Sequence, residues 1–119
     1  MAAMDDALDR LRIRLREFSA AREWEQFHSP KNLAIALSVE VAELLEHFQW
    51  LPDKVDEDTL VQKMPRIEEE LADVLLYTIR FADVLGIDLA AASERKIALN
   101  ESKYPVEKAR GSSRKYTEL

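Results

Sequence analysis

The sequence predicts an all-α protein with a four-helix bundle-like architecture, and three observations support this prediction. Only 2 of the 119 residues are Gly and 4 are Pro, so few residues interrupt regular structure. Apolar residues recur at intervals of three and four, which is the spacing of one helix face. A composition of 47% hydrophobic and 34% charged residues is typical of long amphipathic helices. A length of 119 residues suits one domain.

The first helix is predicted from about Asp5 to Arg22. It ends where residues 23–29 break the apolar spacing. Its apolar stripe consists of Met4, Leu8, Leu11, Leu15 and Phe18.

The second helix is predicted to begin at Ser29-Pro30, because serine is a good N-cap and proline suits the first helical position. It continues to about Phe48. One apolar face surrounds Glu40, and most of the remaining surface is also apolar. A helix that is apolar nearly all round is buried in a core or between subunits. A chain of this size has little core to offer, so the sequence predicts a homo-oligomer. The other apolar positions are Ile35, Val39, Val41, Leu45 and Phe48.

Residues 53–64 are predicted to form a polar loop with a short helical turn. Pro65 then opens the third helix, which runs to about Leu85 and ends at Gly86. Asp88 is the predicted N-cap of the fourth helix.

The fourth helix is predicted to reach about Lys103, before Pro105. Residues 1–105 are therefore expected to form one helical domain. Residues 106–119 are expected to form a basic C-terminal tail with irregular structure. Mobility of this tail is one interpretation.

Charge and composition exclude several classes of protein. The net charge is -6, and only about the last fifteen residues are locally basic, whereas proteins that bind nucleic-acid polymers usually present a basic face. The absence of cysteine excludes disulfides and thiolate metal sites. No signal-peptide pattern and no apolar run of about 20 residues is present. A cytoplasmic protein without membrane association is expected.

Two pairs of acids are the candidate catalytic and metal-ligating residues. Glu40 and Glu43 are neighbours on one face of the second helix, and Glu70 and Asp73 repeat this spacing on the third. Each pair lies in a mostly apolar helix, where an unpaired carboxylate costs several kcal/mol. Convergence of the pairs would require a divalent cation. Ligation by oxygen alone favours Mg²⁺ or Mn²⁺ over Zn²⁺.

A solvated acidic face is the competing interpretation of such spacing, since acids three residues apart are common on helices. Either pair alone favours that interpretation. The two pairs together favour a metal site. Glu46, Glu68 and Glu69 are assigned to the solvated surface.

The two pairs and several further segments together resemble the MazG-like superfamily of all-α NTP pyrophosphohydrolases, and within it the dCTP pyrophosphatases. The resemblance covers about residues 8–119. It implies a MazG fold assembled as a dimer or, as we favour, a tetramer. It also implies Mg²⁺ on the four acids and cleavage between the α and β phosphates of a nucleoside triphosphate. The matching segments are Trp24-Glu25-Gln26-Phe27-His28, Phe48-Gln49-Trp50, residues 69–75, 103–105, 110–112 and 115–117.

The sequence departs from the family at two places. Val39 stands where the superfamily motif often has a further Glu, and the polar loop after Trp50 also differs. The second departure leaves base preference open.

The resemblance further implies a base pocket in which Trp24 and Trp50 flank a pyrimidine and His28 lies nearby. Aromatic faces stack on bases, although aromatic residues also dominate protein cores. Tyr77, one turn beyond Asp73, is expected to contact the deoxyribose or to satisfy a hydrogen bond in the core.

Basic and polar residues near the C-terminus are the remaining candidates for substrate binding. Lys96 and Asn100 share a face of the fourth helix, and the resemblance places phosphate or sugar contacts around them. A solvated helix face is the alternative. Arg110, Lys115 and Tyr116 either close over the nucleotide or belong to a frayed terminus.

The leading hypothesis is thus a Mg²⁺-dependent hydrolase that converts dCTP-like deoxynucleotides to the monophosphate and pyrophosphate. One alternative is a broader NTP or dUTP pyrophosphohydrolase. Another is a non-catalytic helical interaction module whose acids face a basic partner.

Overall fold

The computed structural model describes the backbone of residues 3–119 and the side chains of residues 7–119. Every regular element in this part of the chain is helical, which confirms the all-α prediction. The four long helices are all present. The elements are α1 (Ala3–Ala21), a 3₁₀ turn (Glu25–Phe27), α2 (Pro30–Glu46), α3 (Glu57–Leu85), α4 (Leu89–Lys103), α5 (Val106–Ala109) and a second 3₁₀ turn (Tyr116–Glu118).

The predicted start of α2 is confirmed. The Ser29 hydroxyl oxygen accepts a hydrogen bond from the Asn32 amide at 3.1 Å, and Pro30 is the first helical residue. The helix ends at Glu46, two residues before the predicted Phe48, because residues 47–50 form turns.

The prediction that Pro65 opens the third helix is wrong. This helix begins at Glu57, where Asp56 caps it by accepting hydrogen bonds from the amide and hydroxyl of Thr59. Pro65 lies inside the helix and removes one backbone bond, to the carbonyl of Val61. Val61 is 63% exposed, so water can replace the missing donor. Residues 57–64, predicted as part of a loop, are therefore helical.

The predicted end of the third helix at Gly86 is confirmed. Gly86 adopts a left-handed conformation with φ of 70°, which a residue without a side chain adopts at low cost. The Ile87 amide then bonds back to the Ala82 carbonyl at 2.8 Å and closes the helix end.

The chain divides into two compact units, residues 1–87 and residues 88–119. In the first unit, α3 packs against both α1 and α2. Its buried apolar side chains include Leu33, Ile79 and Ala82. The Met4 side chain, assigned to the apolar stripe of the first helix, lies outside the described residues.

The second unit contains α4, α5 and the second 3₁₀ turn. Asp88 caps α4 as predicted, since its carboxylate accepts a hydrogen bond from the Ala91 amide at 3.0 Å. Residues 106–119 were expected to be irregular but contain two short helical segments. The rings of Tyr104 and Tyr116 meet edge to face there, with centroids 6.0 Å apart.

Within the part of the chain that the structure describes, none of the helices combines the length and apolar character that crossing a membrane requires.

Candidate metal centre and adjacent cleft

The packing of α2 against α3 brings three of the four predicted acids into one cluster. Glu40, Glu43 and Glu70 each contribute a carboxylate oxygen, and these oxygens lie within 4.8 Å of one another. All three residues are half-buried. Asp73, one turn after Glu70, lies outside this group of three but is close enough for its charge to raise the pKa of Glu40 and of Glu70.

Burial and mutual repulsion disfavour the charged forms of these acids. Burial is the main cause that raises the pKa of Glu40 to about 7, and a hydrogen bond with Glu43 and the neighbouring negative charges add to it. Burial also raises the pKa of Glu70, against a smaller opposing effect of His47. The cluster thus holds more negative charge than its own surroundings neutralise.

Two oxygens in the cluster have no hydrogen-bond partner among the side chains and backbone that the structure describes. Glu40 Oε2 and Glu70 Oε2 are both buried, and no donor among the described residues contacts either. A buried polar atom without a partner is costly and therefore uncommon in native proteins. A bound cation would satisfy both oxygens and would also remove the repulsion between the acids.

The donor set fits a hard divalent cation. Two oxygens on opposite sides of a Mg²⁺ ion lie about 4.2 Å apart, given Mg–O distances of about 2.1 Å. The three acids therefore lie near the spacing that one ion requires. Carboxylate oxygens alone favour Mg²⁺ or Mn²⁺.

A cleft of about 430 Å³ lies beside the cluster, and Asp73 is part of its wall. This volume is in the range of small-molecule sites. Trp24, His28 and Tyr77 also line the cleft, so three of the predicted substrate-binding residues and one predicted metal ligand meet there. The remaining lining residues are Leu11, Arg14, Leu15, Phe18, Ser19, Leu76 and Arg80.

Trp24 reaches the cleft because of how α1 ends. Glu23 has a φ of 55°, in the left-handed region, and the Trp24 amide bonds back to the Ser19 carbonyl at 2.9 Å. This is the backbone pattern of a Schellman cap with a residue other than glycine at the left-handed position. The reversal lays the Trp24 ring edge-on against Phe18, with centroids 5.6 Å apart.

His28 is held by a residue that the sequence did not single out. Arg80 Nε donates a hydrogen bond to His28 Nδ1 at 3.0 Å, and Arg80 is only 9% exposed. Burial, and next the charge of Arg80, lower the pKa of His28, while Glu25 opposes them. Arg80 lies three residues after Tyr77 and seven after Asp73. This helical spacing is the signal that could have placed it on the cleft face.

Asp83 connects α3 to α1 behind the cleft-lining residue Arg80. Its carboxylate accepts two hydrogen bonds from Arg16, at 2.7 and 2.8 Å, and lies 3.5 Å from Arg12 and 3.6 Å from Arg80. The side chain of Asp83 is only 6% exposed. The bond from Arg16 is the main cause that lowers the pKa of Asp83. Sequence reasoning missed this network, because Arg16 lies 67 positions before Asp83 in the chain and Arg12 lies further still.

Trp50 is not brought to Trp24 within one chain. It is 87% exposed and lies outside the lining of the cleft. Trp24 precedes α2 and Trp50 follows it, and a helix of 17 residues is about 25 Å long. The two rings therefore belong to opposite ends of α2.

The other predicted substrate-binding residues lie in the second unit. Lys96 and Asn100 are exposed on α4, and Arg110 and Lys115 are exposed near the C-terminus. Tyr116 lies under the ammonium group of Lys103, which is 4.8 Å from the ring centroid.

Comparisons with known proteins test the family resemblance that the sequence predicted. Residues 35–119 match the model of the MazG-like family. The chain is 46% identical over 105 residues to dCTP pyrophosphatase 1 of Homo sapiens and 45% identical to that of Bos taurus. These alignments cover 87% of this chain but only 62% of each relative.

A solved structure shows the same fold. The crystal structure of a pyrophosphatase from Archaeoglobus fulgidus superimposes with a TM-score of 0.71 and is 43% identical in sequence. The match covers 88% of this chain and 94% of the archaeal chain. With the family model matched over most of the sequence, the predicted resemblance is confirmed: the chain belongs to the MazG-like family.

Proposed function

We propose that this protein is a cytoplasmic, Mg²⁺-dependent nucleoside triphosphate pyrophosphohydrolase. Its substrates are dCTP-like deoxynucleotides, and its products are the monophosphate and pyrophosphate. The observation that supports this most strongly is a pair of buried carboxylate oxygens, on Glu40 and Glu70, beside a cleft with aromatic walls. Neither oxygen has a hydrogen-bond partner in the described part of the chain. The names of the relatives, dCTP pyrophosphatase 1 and pyrophosphatase, support the substrate and the reaction.

Glu40, Glu43, Glu70 and Asp73 would hold the metal. Mg²⁺ is favoured, and Mn²⁺ is the alternative. When bound, the ion would neutralise phosphate charge and favour ionisation of the attacking water.

The residues of the chain supply positioning and proton transfer. One glutamate of the cluster orients a water molecule for in-line attack on a phosphorus of the linkage between the α and β phosphates and accepts a proton from it. The bridging P–O bond breaks, which releases the monophosphate and pyrophosphate. Asp73 belongs both to the acids and to the cleft wall, so it places the reacting phosphates next to the base pocket.

Tyr77 is suited to a sugar contact. Burial and the nearby charges of Glu40, Asp73 and Glu43 raise the pKa of its phenol, which therefore stays protonated at neutral pH. A protonated phenol can donate a hydrogen bond to a sugar oxygen of the substrate.

Trp24 and His28 are the base-binding residues of the cleft. Their rings are edge to face, with centroids 6.5 Å apart, so the Trp24 ring is held in a fixed orientation. Stacking of a base on an aromatic side chain contributes about 1–3 kcal/mol.

The exposed apolar surface supports a homo-oligomer, with a tetramer favoured over a dimer. Ile35 is 52% exposed and Leu45 is 57% exposed on the outer side of α2. Leu71 and Leu75 form a similar exposed stripe on α3. Large exposed apolar patches are uncommon on monomers. Association would also allow Trp50 of one subunit to reach the base pocket of another.

The remaining substrate contacts are assigned as the family resemblance implies. We assign phosphate or sugar contacts to Lys96 and Asn100. We assign closure over the nucleotide to Arg110, Lys115 and Tyr116. The exposure of their charged groups leaves them accessible to an anionic ligand.

Substrate profiling tests this proposal. Purified protein is incubated with Mg²⁺ and dCTP, 5-methyl-dCTP, dUTP or dATP, and the products are identified by ³¹P NMR. We expect pyrophosphate and the monophosphate, formed fastest from the cytosine nucleotides. Equal rates on all four would indicate a broad hydrolase instead. Release of inorganic phosphate, or no turnover on any substrate, would contradict the proposed reaction.

A further inference from the structure

We infer that Arg80 is a positioning residue that fixes the tautomer of His28. In this tautomer, His28 offers its Nε2–H group to a hydrogen-bond acceptor on the bound base. The inference rests on the proposed function for the identity of the ligand. Its structural part concerns only these two side chains.

The hydrogen bond between them determines the position of the imidazole proton. A guanidinium group donates hydrogen bonds and cannot accept them. Because Arg80 Nε lies 3.0 Å from His28 Nδ1, that ring nitrogen must be the acceptor. In a neutral imidazole the proton then resides on Nε2.

The surroundings also keep the ring neutral. Burial and the positive charge of Arg80 on α3 lower the pKa of His28. Glu25, in the 3₁₀ turn just before His28, opposes them with a smaller effect. Trp24, which packs beside the ring, is uncharged. At neutral pH the ring therefore has one donor nitrogen and one acceptor nitrogen.

Both partners are held in place. The Arg80 guanidinium lies 3.6 Å from Asp83, which Arg16 binds in turn at 2.7 Å. His28 immediately follows Phe27, whose carbonyl accepts a hydrogen bond from the Asn32 side chain at 3.0 Å. This arrangement restricts rotation of the guanidinium away from the imidazole.

A fixed donor discriminates among base edges. The Nε2–H group matches an acceptor such as a carbonyl oxygen or an unprotonated ring nitrogen, both of which cytosine has on its pairing edge. A base that presents an N–H group at the same point would place that donor against the Nε2–H donor of His28, and no hydrogen bond could form between them. Loss of the fixed orientation should therefore weaken binding of substrate more than it slows the chemical step.

Nitrogen NMR tests the tautomer directly. The chain has two histidines, so the signals that disappear in His28→Asn identify His28. In the wild type near neutral pH, we expect Nδ1 to show the shift of an unprotonated acceptor and Nε2 that of a protonated nitrogen. In Arg80→Met we expect a mixture of the two neutral tautomers. A wild-type ring that is protonated at Nδ1, or at both nitrogens, would overturn the inference even if Arg80→Met failed to fold.

Steady-state kinetics test the consequence for binding. We expect Arg80→Met to raise KM for dCTP about tenfold and to change kcat by less than about twofold, since one oriented hydrogen bond is lost. Arg80→Lys, which retains a donor, should recover part of the loss. Arg10→Met replaces an exposed arginine of α1 outside the cleft lining and is the matched control.

An unchanged KM in Arg80→Met, or a loss confined to kcat, would refute the positioning role. A wild type without turnover but with the expected NMR spectrum would refute the proposed function and leave the tautomer assignment standing.

Discussion

A carboxylate oxygen of Glu40 on α2 lies within 4.8 Å of one of Glu70 on α3, and each residue also has a buried oxygen without a hydrogen-bond partner among the described residues. Two buried acids this close together destabilise the metal-free protein, because their negative charges repel each other. A cation bound between them would remove this repulsion. The stability of the protein should therefore depend on pH and on Mg²⁺ together.

The metal-free protein should lose stability as the pH rises from about 4.5 to about 7. The pKa of Glu40 is raised from 4.5 to about 7 in the folded state, so over this interval the folded chain binds more protons than the unfolded chain. Mg²⁺ binds the ionised carboxylates and should restore the stability. We expect saturating Mg²⁺ to raise Tm by about 10 °C near pH 8 and much less near pH 5. An equal effect at both pH values, measured by differential scanning fluorimetry, would contradict this expectation.

Glu40→Gln should stabilise the metal-free protein near pH 8 while abolishing its response to Mg²⁺. The amide removes one of the repelling charges, and its NH₂ group can donate to the neighbouring acids. We expect Tm in EDTA to rise by about 3–5 °C. Glu46→Gln, at an exposed position of the same helix, should leave both Tm and the Mg²⁺ response unchanged. A lower Tm for Glu40→Gln in EDTA would show that repulsion within the cluster is not significant.

Asp83→Asn should be strongly destabilising. It removes the common partner of Arg12, Arg16 and Arg80, and it leaves the buried Arg80 without its ion pair. We expect the free energy of unfolding to fall by about 2–3 kcal/mol at pH 7. The pKa of Asp83 is lower in the folded protein than in the unfolded chain. The stability that the ionised Asp83 contributes is therefore fully present above the pKa of the unfolded chain, and it is lost as the pH falls through the pKa of the folded protein.

Arg16→Gln is the comparison for that variant. Arg16 is exposed, and Asp83 would retain two other arginines, so a clearly smaller loss is expected. Urea titrations at one fixed protein concentration measure both variants. Equal losses would show that the outer arginine, rather than the buried one, is the important partner.

Ile35→Glu should reduce the size of the assembly. Ile35 is exposed on the apolar outer side of α2, where a buried charge would be costly in an interface between subunits. Light scattering coupled to size-exclusion chromatography should give a tetramer for the wild type and a smaller species for this variant. Lys31→Glu changes an exposed polar position of the same helix and should leave the mass unchanged. A monomeric wild type would exclude the proposed assembly.

Local signals in the sequence were sufficient for most of the fold. Ser29-Pro30, Gly86 and Asp88 act through their own backbone and nearest neighbours, so their roles could be predicted without tertiary information. Pro65 was placed incorrectly because an interior proline is tolerated where water can replace the lost donor. That condition depends on exposure, which a local pattern does not specify.

The site was predictable to the extent that it depends on helix spacing. The spacing of the acids predicted that all four converge. The structure brings carboxylate oxygens of Glu40, Glu43 and Glu70 within 4.8 Å of one another, with Asp73 outside this group. The bond between Arg80 and His28 joins residues 52 positions apart, so no local pattern contains it. The separation of Trp24 from Trp50, by contrast, could have been predicted, because the helix between them is about 25 Å long.

Pyrophosphate release should depend on a metal ion held by the clustered acids. The most direct measurement is the rate of pyrophosphate release from dCTP as a function of Mg²⁺ concentration, for the wild type, Glu70→Gln and the adjacent Glu69→Gln. Glu69 is exposed and serves as the matched control. We predict Mg²⁺-dependent release by the wild type and Glu69→Gln, and a loss of about 10³-fold or more in kcat for Glu70→Gln. Full activity in Glu70→Gln, or undiminished wild-type activity in EDTA, would show that pyrophosphate release does not depend on a metal ion held by these acids.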